Sequence, residues 1–365
     1  MKLYAGSRSK ILAESVSKLL NLPLSPYELI KFGDSELKPV VKEEVRGENC
    51  IVIASTSNPV NDSYMEFFLL VDALKRSAAN KIIAVMPYFG YARQNQQHLP
   101  GEPVSARVIV KFIQSVGVDE LVTIDLHEEQ LTGFFDIPIT HLSALPLLAK
   151  TAGEQILIRH PELVSGSMNQ SNQQMLKQVQ HDGNRIIILS PDQGGVERTR
   201  KFRDALDEDI TSRHSELVSE SKNSGPASPD RSQGGSKSGM TFSVDAEIGI
   251  VEKLRNLERQ HETKVVEITG DVKNKIVVIP DDVIVSGGTI IHAAQAAKEK
   301  GASAVYLAAT HADFIEGTVE QLQNSPVEKV FVTDTIVLPD NQLFPKLQVV
   351  SVANLLSTEI RKLGN

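Results

Sequence analysis

A pair of carboxylates followed by a turn of small, hydroxyl-bearing residues is the most chemically suggestive feature of the sequence. Asp281 and Asp282 end an apolar run, and the Ser-Gly-Gly-Thr segment Ser286–Thr289 then opens a helical pattern. Free N–H groups at a helix start, together with two hydroxyls, favour a phosphate. The carboxylates would repel that phosphate, so we expect them to face sugar hydroxyls or Mg²⁺. Because side chains alternate along a strand, we expect only one carboxylate to touch a given partner.

Three other segments, Pro87–Gln94, Thr123–Gln130 and Ser190–Val196, also stand at the ends of apolar runs, where the loops that could carry chemistry begin. Each also has a simpler interpretation. An acidic turn before a glycine loop occurs in many α/β proteins, and a lone histidine at a strand end is usually a hydrogen-bonded structural residue. The residue types alone therefore leave both a phosphate site and a purely structural role open.

Strands and helices that alternate along the chain must position these residues. Runs rich in Val and Ile predict strands at Asn49–Ser55, Lys81–Pro87, Glu120–Asp125, Arg185–Ser190, Lys275–Pro280, Ser303–Ala309 and Lys329–Val332. Segments of helical period follow several of them, at Ser63–Ser77, Ser105–Val116, Gly195–Leu206 and Thr289–Lys300. This alternation predicts an α/β protein whose parallel sheet is covered by helices on both faces. Ligands of such sheets bind at the carboxyl ends of the strands, where the polar residues lie.

Composition narrows the class of protein. The 365 residues are enough for two domains. A net charge of −8, from 38 Lys+Arg and 46 Asp+Glu, argues against a broad contact with nucleic acid. The single cysteine, Cys50, excludes an intrachain disulfide and a zinc–thiolate cluster, and it favours a cytoplasmic protein. The first residues lack the apolar core of a signal peptide, so we expect neither a secreted nor a membrane protein.

Two stretches, 159–184 and 211–240, interrupt the alternation. The second contains nine Ser, four Gly and two Pro, which predicts a flexible segment. They share a duplication, because Arg159–Ser167 and Arg213–Ser221 match at seven of nine positions. We interpret both stretches as in-frame copies of a mobile DNA repeat, with ordinary variable surface loops as the alternative. Neither is assigned a catalytic role.

Five motifs occur in an order that resembles one enzyme family. They are Phe32–Glu36, Pro87–Gln94, Thr123–Pro138, Ser190–Val196 and Asp281–Thr289. Together they resemble ribose-phosphate diphosphokinase over nearly the whole chain, apart from the two inserts. The resemblance implies transfer of the β,γ-diphosphoryl group of ATP to the anomeric hydroxyl of ribose 5-phosphate, with Mg²⁺ as cofactor and AMP as the second product. It also implies a homo-oligomer, dimer or hexamer, whose ATP site is shared between subunits.

The same resemblance implies a fold of two phosphoribosyltransferase-like α/β domains, each with a mostly parallel sheet covered by helices on both faces. We assign residues 1–143 to an ATP-side domain and residues 144–350, with both inserts, to a ribose 5-phosphate-side domain. A C-terminal helix within 351–365 is expected to pack on the first domain.

Residue roles are likewise carried over from the resemblance. The implied ATP contacts are Phe32, Asp34, Ser35, Glu36, Arg93, Gln94 and His127. The implied ribose 5-phosphate contacts are Asp281, Asp282, Val285, Ser286, Gly287, Gly288 and Thr289. His127 and Asp192 are the implied metal ligands, with Asp136 a weaker match. Lys253 and Arg255 match two catalytic cations of a loop that closes over the diphosphate.

The chain departs from the family at several of these positions. Val285 stands where an aspartate is common, and Asn95, Gln96 and Gln97 stand where charged residues are usual. Two alternative functions therefore stay open. One is a catalytically weak or silent regulatory homologue, which the insert 211–240 just upstream of the catalytic loop favours. The other is a phosphoribosyltransferase, which would use the 281–289 loop but would not need the ATP motifs.

Overall fold

The computed structural model describes residues 1–160, 186–223, 246–254 and 265–363. Five parallel strands form the first sheet, and two more form a separate antiparallel hairpin. In chain order they are β1 (Lys2–Ala5), the hairpin strands β2 (Tyr27–Lys31) and β3 (Leu37–Val41), β4 (Asn49–Ile53), β5 (Lys81–Met86), β6 (Glu120–Ile124) and β7 (Ile139–Leu142). The sheet order is β1-β4-β5-β6-β7.

Within the described ranges, the second sheet has seven strands. They are β8 (Ile186–Ser190), β9 (Glu247–Leu254), β10 (Val265–Thr269), β11 (Ile276–Ile284), β12 (Ala304–Ala312), β13 (Lys329–Thr333) and β14 (Leu347–Val350). Their order is β10-β9-β8-β11-β12-β13-β14. The β9–β10 pair is antiparallel and the other pairs are parallel, so the sheet is mostly parallel as predicted.

Helices cover both faces of each sheet. In the part of the chain that the structure describes they are α1 (Lys10–Leu20), α2 (Val60–Arg76), α3 (Ser105–Ser115), α4 (Leu145–Arg159), α5 (Val196–Asn223), α6 (Gly288–Glu299), α7 (Thr318–Asn324) and α8 (Ala353–Leu363). In β4, Cys50 and Val52 lie in one apolar cluster with α2 and α3, whereas Ile51 and Ile53 lie in another with α1 and α8. Because both faces are buried, the strands are apolar throughout rather than alternating. The α/β fold class is confirmed.

Helix α8, at the end of the chain, packs beside α1 on the first sheet. Leu356 and Ile360 of α8 are buried in the cluster that contains Leu12 and Val16 of α1. We call the first sheet, the hairpin and their helices the first unit, and the second sheet with its helices the second unit. Helix α8 belongs to the first unit, although β14, the strand that precedes it along the chain, belongs to the second sheet.

The structure corrects one expectation about the inserts. Residues 211–223, predicted to be flexible, continue α5 as a helix to Asn223. The composition of the segment explains this, because its Gly and Pro residues all occur from Gly225 onward, and nothing before that point breaks a helix. The remainder, 224–240, and nearly all of the first insert lie outside the described residues.

None of the helices in the described ranges is both long enough and apolar enough to cross a membrane.

Candidate active site between the two sheets

The two sheets meet at the carboxyl ends of their strands and enclose a cleft of about 510 Å³. The segments that follow β6, β7 and β8 line it, with contributions from Asp125–Gln130, His141–Ser143 and the first turns of α5. From β8 the chain passes to β9 on one side, and β11 lies on the other side. Such a switch point is where open α/β sheets bind ligands.

A cluster of one guanidinium, two carboxylates and one imidazole lies at this switch point. Arg198, the third residue of α5, donates from Nη1 to Asp281 Oδ1 at 2.8 Å and from Nη2 to Asp282 Oδ1 at 2.9 Å. Asp282 Oδ2 accepts a hydrogen bond from His127 Nδ1 at 2.8 Å. Since His127 follows β6 and Asp282 lies on β11, this bond joins the two sheets.

The expectation that only one carboxylate would touch a given partner is wrong for Arg198, which binds both. Two features allow this. The Asp281 carboxylate bends along the strand and accepts the backbone N–H of Asp282 at 2.9 Å. The forked guanidinium can then bridge two neighbouring carboxylates.

Burial and mutual repulsion separate the acidities of the two carboxyls. Burial and the charge of Asp282 raise the pKa of Asp281 to about 7. Burial also acts to raise the pKa of Asp282, but the hydrogen bond from His127 and the Arg198 charge outweigh it, so the Asp282 pKa is below its ordinary value. The pKa of His127 is raised, chiefly by its hydrogen bond to Asp282. Near neutral pH, Asp282 is therefore the carboxyl group of the pair that is fully ionised.

Arg93 lies close to this cluster. It lines a narrow crevice together with His127 and Asp282, although it belongs to the loop after β5. Gln94 points elsewhere, because its Oε1 accepts a hydrogen bond from the Ser105 hydroxyl at 2.7 Å, at the start of α3. The structure thus brings Arg93, but not the Gln94 amide oxygen, to the group formed by His127 and Asp282.

The predicted metal ligands have compatible donor atoms. Because Nδ1 of His127 donates to a carboxylate, the neutral ring presents Nε2 as an acceptor, a common arrangement for a metal-binding histidine. Asp192 Oδ1 accepts the Gly195 N–H at 2.9 Å in the turn before α5, and its Oδ2 makes no hydrogen bond to the described residues. In those residues no three His, Cys, Asp or Glu side chains form a metal-binding group. One or two protein ligands fit Mg²⁺, which usually keeps several waters and binds substrate phosphates.

Asp136 does not join this group. It precedes β7, and its Oδ2 accepts a hydrogen bond from Gln114 Nε2 at 2.9 Å in the last turn of α3. The cleft lies at the carboxyl ends of the parallel strands. Because Asp136 comes before β7, it lies at the amino ends of the strands, on the opposite side of the sheet from the cleft.

The predicted phosphate loop follows β11 and starts α6. Gly287 has φ +73°, a left-handed conformation that glycine adopts without strain. Two hydrogen bonds anchor the loop to the start of α7 and the residues just before it. The Val285 carbonyl accepts the Thr318 hydroxyl at 2.7 Å and the Ile315 N–H at 3.3 Å. Ser286 is exposed. The loop adjoins the switch point but does not line the 510 Å³ cleft.

The predicted adenine loop lies at the tip of the β2–β3 hairpin, outside the cleft lining. Phe32 is 46% exposed there. Asp34 Oδ1 accepts the Glu36 N–H at 3.1 Å, and Ser35 has φ +77°. A serine therefore occupies a left-handed position where glycine would be favoured.

The predicted catalytic cations are beyond what the structure describes. Lys253 lies on β9, opposite Val266 of β10, but its side chain is outside the described set. Arg255 lies outside the described residues altogether.

Sequence reasoning missed Arg198, which pairs with Asp281 and Asp282 inside the second unit, and three residues whose hydrogen bonds join the two units. These three are Asp125, Thr310 and His311. The Asp125 carboxylate accepts the Thr310 hydroxyl at 2.7 Å, and its carbonyl accepts His311 Nε2 at 3.1 Å. The sequence did contain one indication of the role of Arg198, because a cation in the first turn of a helix opposes the helix dipole and so needs acidic partners. It contained no such indication for Asp125, Thr310 or His311.

Comparisons with known proteins agree along the chain. Residues 1–117 match the N-terminal domain of ribose phosphate pyrophosphokinase, and residues 182–365 match the phosphoribosyl synthetase-associated domain. Ribose-phosphate pyrophosphokinase 1 of Streptococcus agalactiae serotype III is 34% identical, over 99% of this chain and 92% of that protein. The Streptococcus mutans protein of the same name is also 34% identical, with the same coverage. The crystal structure of phosphoribosylpyrophosphate synthetase from Mycobacterium smegmatis matches with a TM-score of 0.77 and 28% identity, over 99% of this chain and 98% of that one.

Proposed function

The chain belongs to the ribose-phosphate pyrophosphokinase family, and on that basis we propose that it forms 5-phosphoribosyl 1-diphosphate and AMP from ATP and ribose 5-phosphate. The anomeric oxygen of the sugar bonds to the β-phosphorus of ATP, the bond from that phosphorus to the oxygen bridging to the α-phosphate breaks, and AMP leaves. The hydroxyl proton is released.

The observation that carries this proposal is the cluster at the switch point. His127 from one sheet and Asp282 from the other are 2.8 Å apart, and Arg93 lines the same crevice. Diphosphoryl transfer needs two anionic substrates held in line, with positive charge facing the phosphates. A site assembled from two facing sheets can hold one substrate on each.

We assign ATP to the side formed by Arg93 and His127, and ribose 5-phosphate to the loop Ser286–Thr289. The loop N–H groups and hydroxyls suit the sugar phosphate, and Gly287 lets the backbone approach it closely. Asp281 and Asp282 then lie on the strand that leads into this loop, where they can accept sugar hydroxyls.

Mg²⁺ is proposed as the cofactor, with His127 Nε2 and Asp192 Oδ2 as its protein ligands. When bound, the ion would neutralise phosphate charge and orient the transferred group. Asp282 would hold the His127 ring in the required tautomer through the Nδ1 bond.

The exposed Phe32 at the hairpin tip supports a shared ATP site. A large, exposed aromatic side chain at a hairpin tip, outside the lining of its own cleft, is suited to stacking on a base held by a second copy of the chain. We therefore propose a homo-oligomer in which Phe32, Asp34 and Glu36 complete a neighbour's site.

The direct test is to incubate the purified protein with Mg²⁺, ATP and ribose 5-phosphate and to measure AMP. AMP that appears only with the sugar is the expected result. Nucleotide binding without turnover would instead identify a silent homologue. Consumption of 5-phosphoribosyl 1-diphosphate in the presence of a base, without use of ATP, would identify a phosphoribosyltransferase.

The roles assigned to Lys253 and Arg93 predict different effects on kcat and KM. Lys253→Ala should lower kcat far more than it weakens ATP binding, because its charge acts on the diphosphate as charge develops there. Arg93→Gln should raise the KM for ATP and leave the KM for ribose 5-phosphate unchanged. Equal effects of Lys253→Ala on turnover and ATP affinity would refute its assignment.

A further inference from the structure

A second cavity, of about 370 Å³, lies between the two units and away from the cleft described above. From the first unit it is lined by residues after β1 and β4, including Arg8, Lys10 and Ser57, and from the second by residues after β12 and β13, including Phe314 and Ile336. We refer to it as the interdomain cavity. Its size is within the range of pockets that bind small organic molecules.

One wall of the interdomain cavity is cationic and rich in hydrogen-bond donors. Arg8 and Lys10 are exposed, and neither forms an ion pair with any residue that the structure describes. The Ser57 hydroxyl lines the same wall and makes no hydrogen bond to a residue that the structure describes, so it can donate to a molecule in the cavity.

The opposite wall is apolar. Phe314 and Ile336 are 5% and 6% exposed, and Ala312, Val337 and Pro339 extend the same surface. The single carboxylate in the lining, Asp313, faces the first unit and is hydrogen-bonded by the Tyr88 hydroxyl at 3.2 Å. It is therefore already engaged, and Arg8 and Lys10 leave the lining with a net positive charge.

Tyr88 and His311 separate the interdomain cavity from the proposed catalytic centre. Their rings pack edge to face with centroids 5.0 Å apart, and both line the crevice that contains Arg93 and His127. A molecule in the interdomain cavity would contact both units without occupying the place of either substrate.

We propose that the interdomain cavity binds the phosphate monoester of a small organic molecule, with Arg8 and Lys10 on the phosphate and the Phe314–Ile336 wall against the organic part. An inorganic phosphate would leave the apolar wall in contact with water. The organic part has two chemical sources, a nucleoside or a sugar, which the binding measurements distinguish.

The test is calorimetric titration of the full-length protein, without Mg²⁺, by AMP, ribose 5-phosphate and inorganic phosphate in separate experiments. We expect AMP or ribose 5-phosphate to occupy two sites per chain, and whichever does so identifies the organic part. Arg8→Gln/Lys10→Gln should weaken one of the two sites at least tenfold, and the exposed Lys18→Gln on the same helix should leave both unchanged. Val337→Trp, which fills the apolar side without changing charge, should remove the same site.

Several results would overturn the proposal. One is a single site per chain for both organic ligands. Another is a pair of sites that the Arg8→Gln/Lys10→Gln variant leaves intact. Inorganic phosphate that binds the second site as tightly as the organic ligands would refute the role of the apolar wall. AMP formation, measured separately, tests the proposed reaction. The proposed ligand site in the interdomain cavity can therefore fail while the proposed reaction holds, and the reverse is also true.

Discussion

Replacing Arg198 with methionine should destabilise the protein by about 3 kcal/mol at pH 7 and lower AMP formation. The guanidinium makes hydrogen bonds of 2.8 and 2.9 Å to two carboxylates, and it is only 17% exposed. Each charge-assisted bond contributes about 1.5–3 kcal/mol, and breaking a buried pair costs about 3–5 kcal/mol. Because Asp281 keeps 20% of its side chain exposed, we take the lower end of that range.

The loss of stability in Arg198→Met should also depend on pH, and the pKa of Asp281 determines the direction of that dependence. Its pKa of about 7 is above that of the unfolded chain, so stability due to this group falls as pH rises to about 7 and is then constant. Without Arg198 the pKa of Asp281 rises further, and the decline continues above pH 7. The difference between wild type and Arg198→Met should then grow by up to about 1.4 kcal/mol per pH unit.

The assay is urea unfolding at pH 6.5 and 8.5, with Arg200→Met as the matched control. Arg200 lies on the same helix, is 59% exposed and pairs with Glu197, so its loss should cost less than about 0.5 kcal/mol. Combining Arg198→Met with Asp281→Asn should restore at least about 1 kcal/mol, because the uncompensated charge is removed. A loss as small as that of Arg200→Met, or the same loss at both pH values, would contradict the role assigned to the Arg198 ion pairs.

Three further outcomes are expected. Thr310→Val removes the buried hydrogen bond to Asp125, so it should cost about 1–3 kcal/mol in urea unfolding, whereas Thr310→Ser should cost less. Burial lowers the pKa of His311, so stability should fall as pH drops below about 6.5, and an unchanged pH slope in His311→Gln would count against that origin. Gly287→Ala should raise the KM for ribose 5-phosphate and lower the free energy of unfolding by about 1 kcal/mol. The reasons are that φ is +73° and that a new Cβ would lie 3.1 Å from Ile291 Cδ1. An unchanged KM would contradict the loop assignment.

Local pattern was enough to predict most of the fold. Runs such as Lys81–Pro87 and Glu120–Asp125 became β5 and β6 within one residue of their expected ends, because a strand buried on both faces is apolar throughout. The places where chemistry should occur followed as well, since the carboxyl ends of parallel strands meet at one edge. The insert 211–240 shows the limit of composition, because averaging over it concealed a Gly- and Pro-free start that continues a helix.

The site itself depended on contacts between residues far apart in the sequence. Arg198 meets Asp281 across 83 positions, His127 meets Asp282 across 155, and Thr310 meets Asp125 across 185. The sequence alone determined which elements form and which residues end the strands, because periodicity and backbone propensity act over a few residues. Long-range contacts bring two carboxylates to one arginine and let one sheet hold the histidine of the other, and these contacts depend on how the sheets are placed against each other.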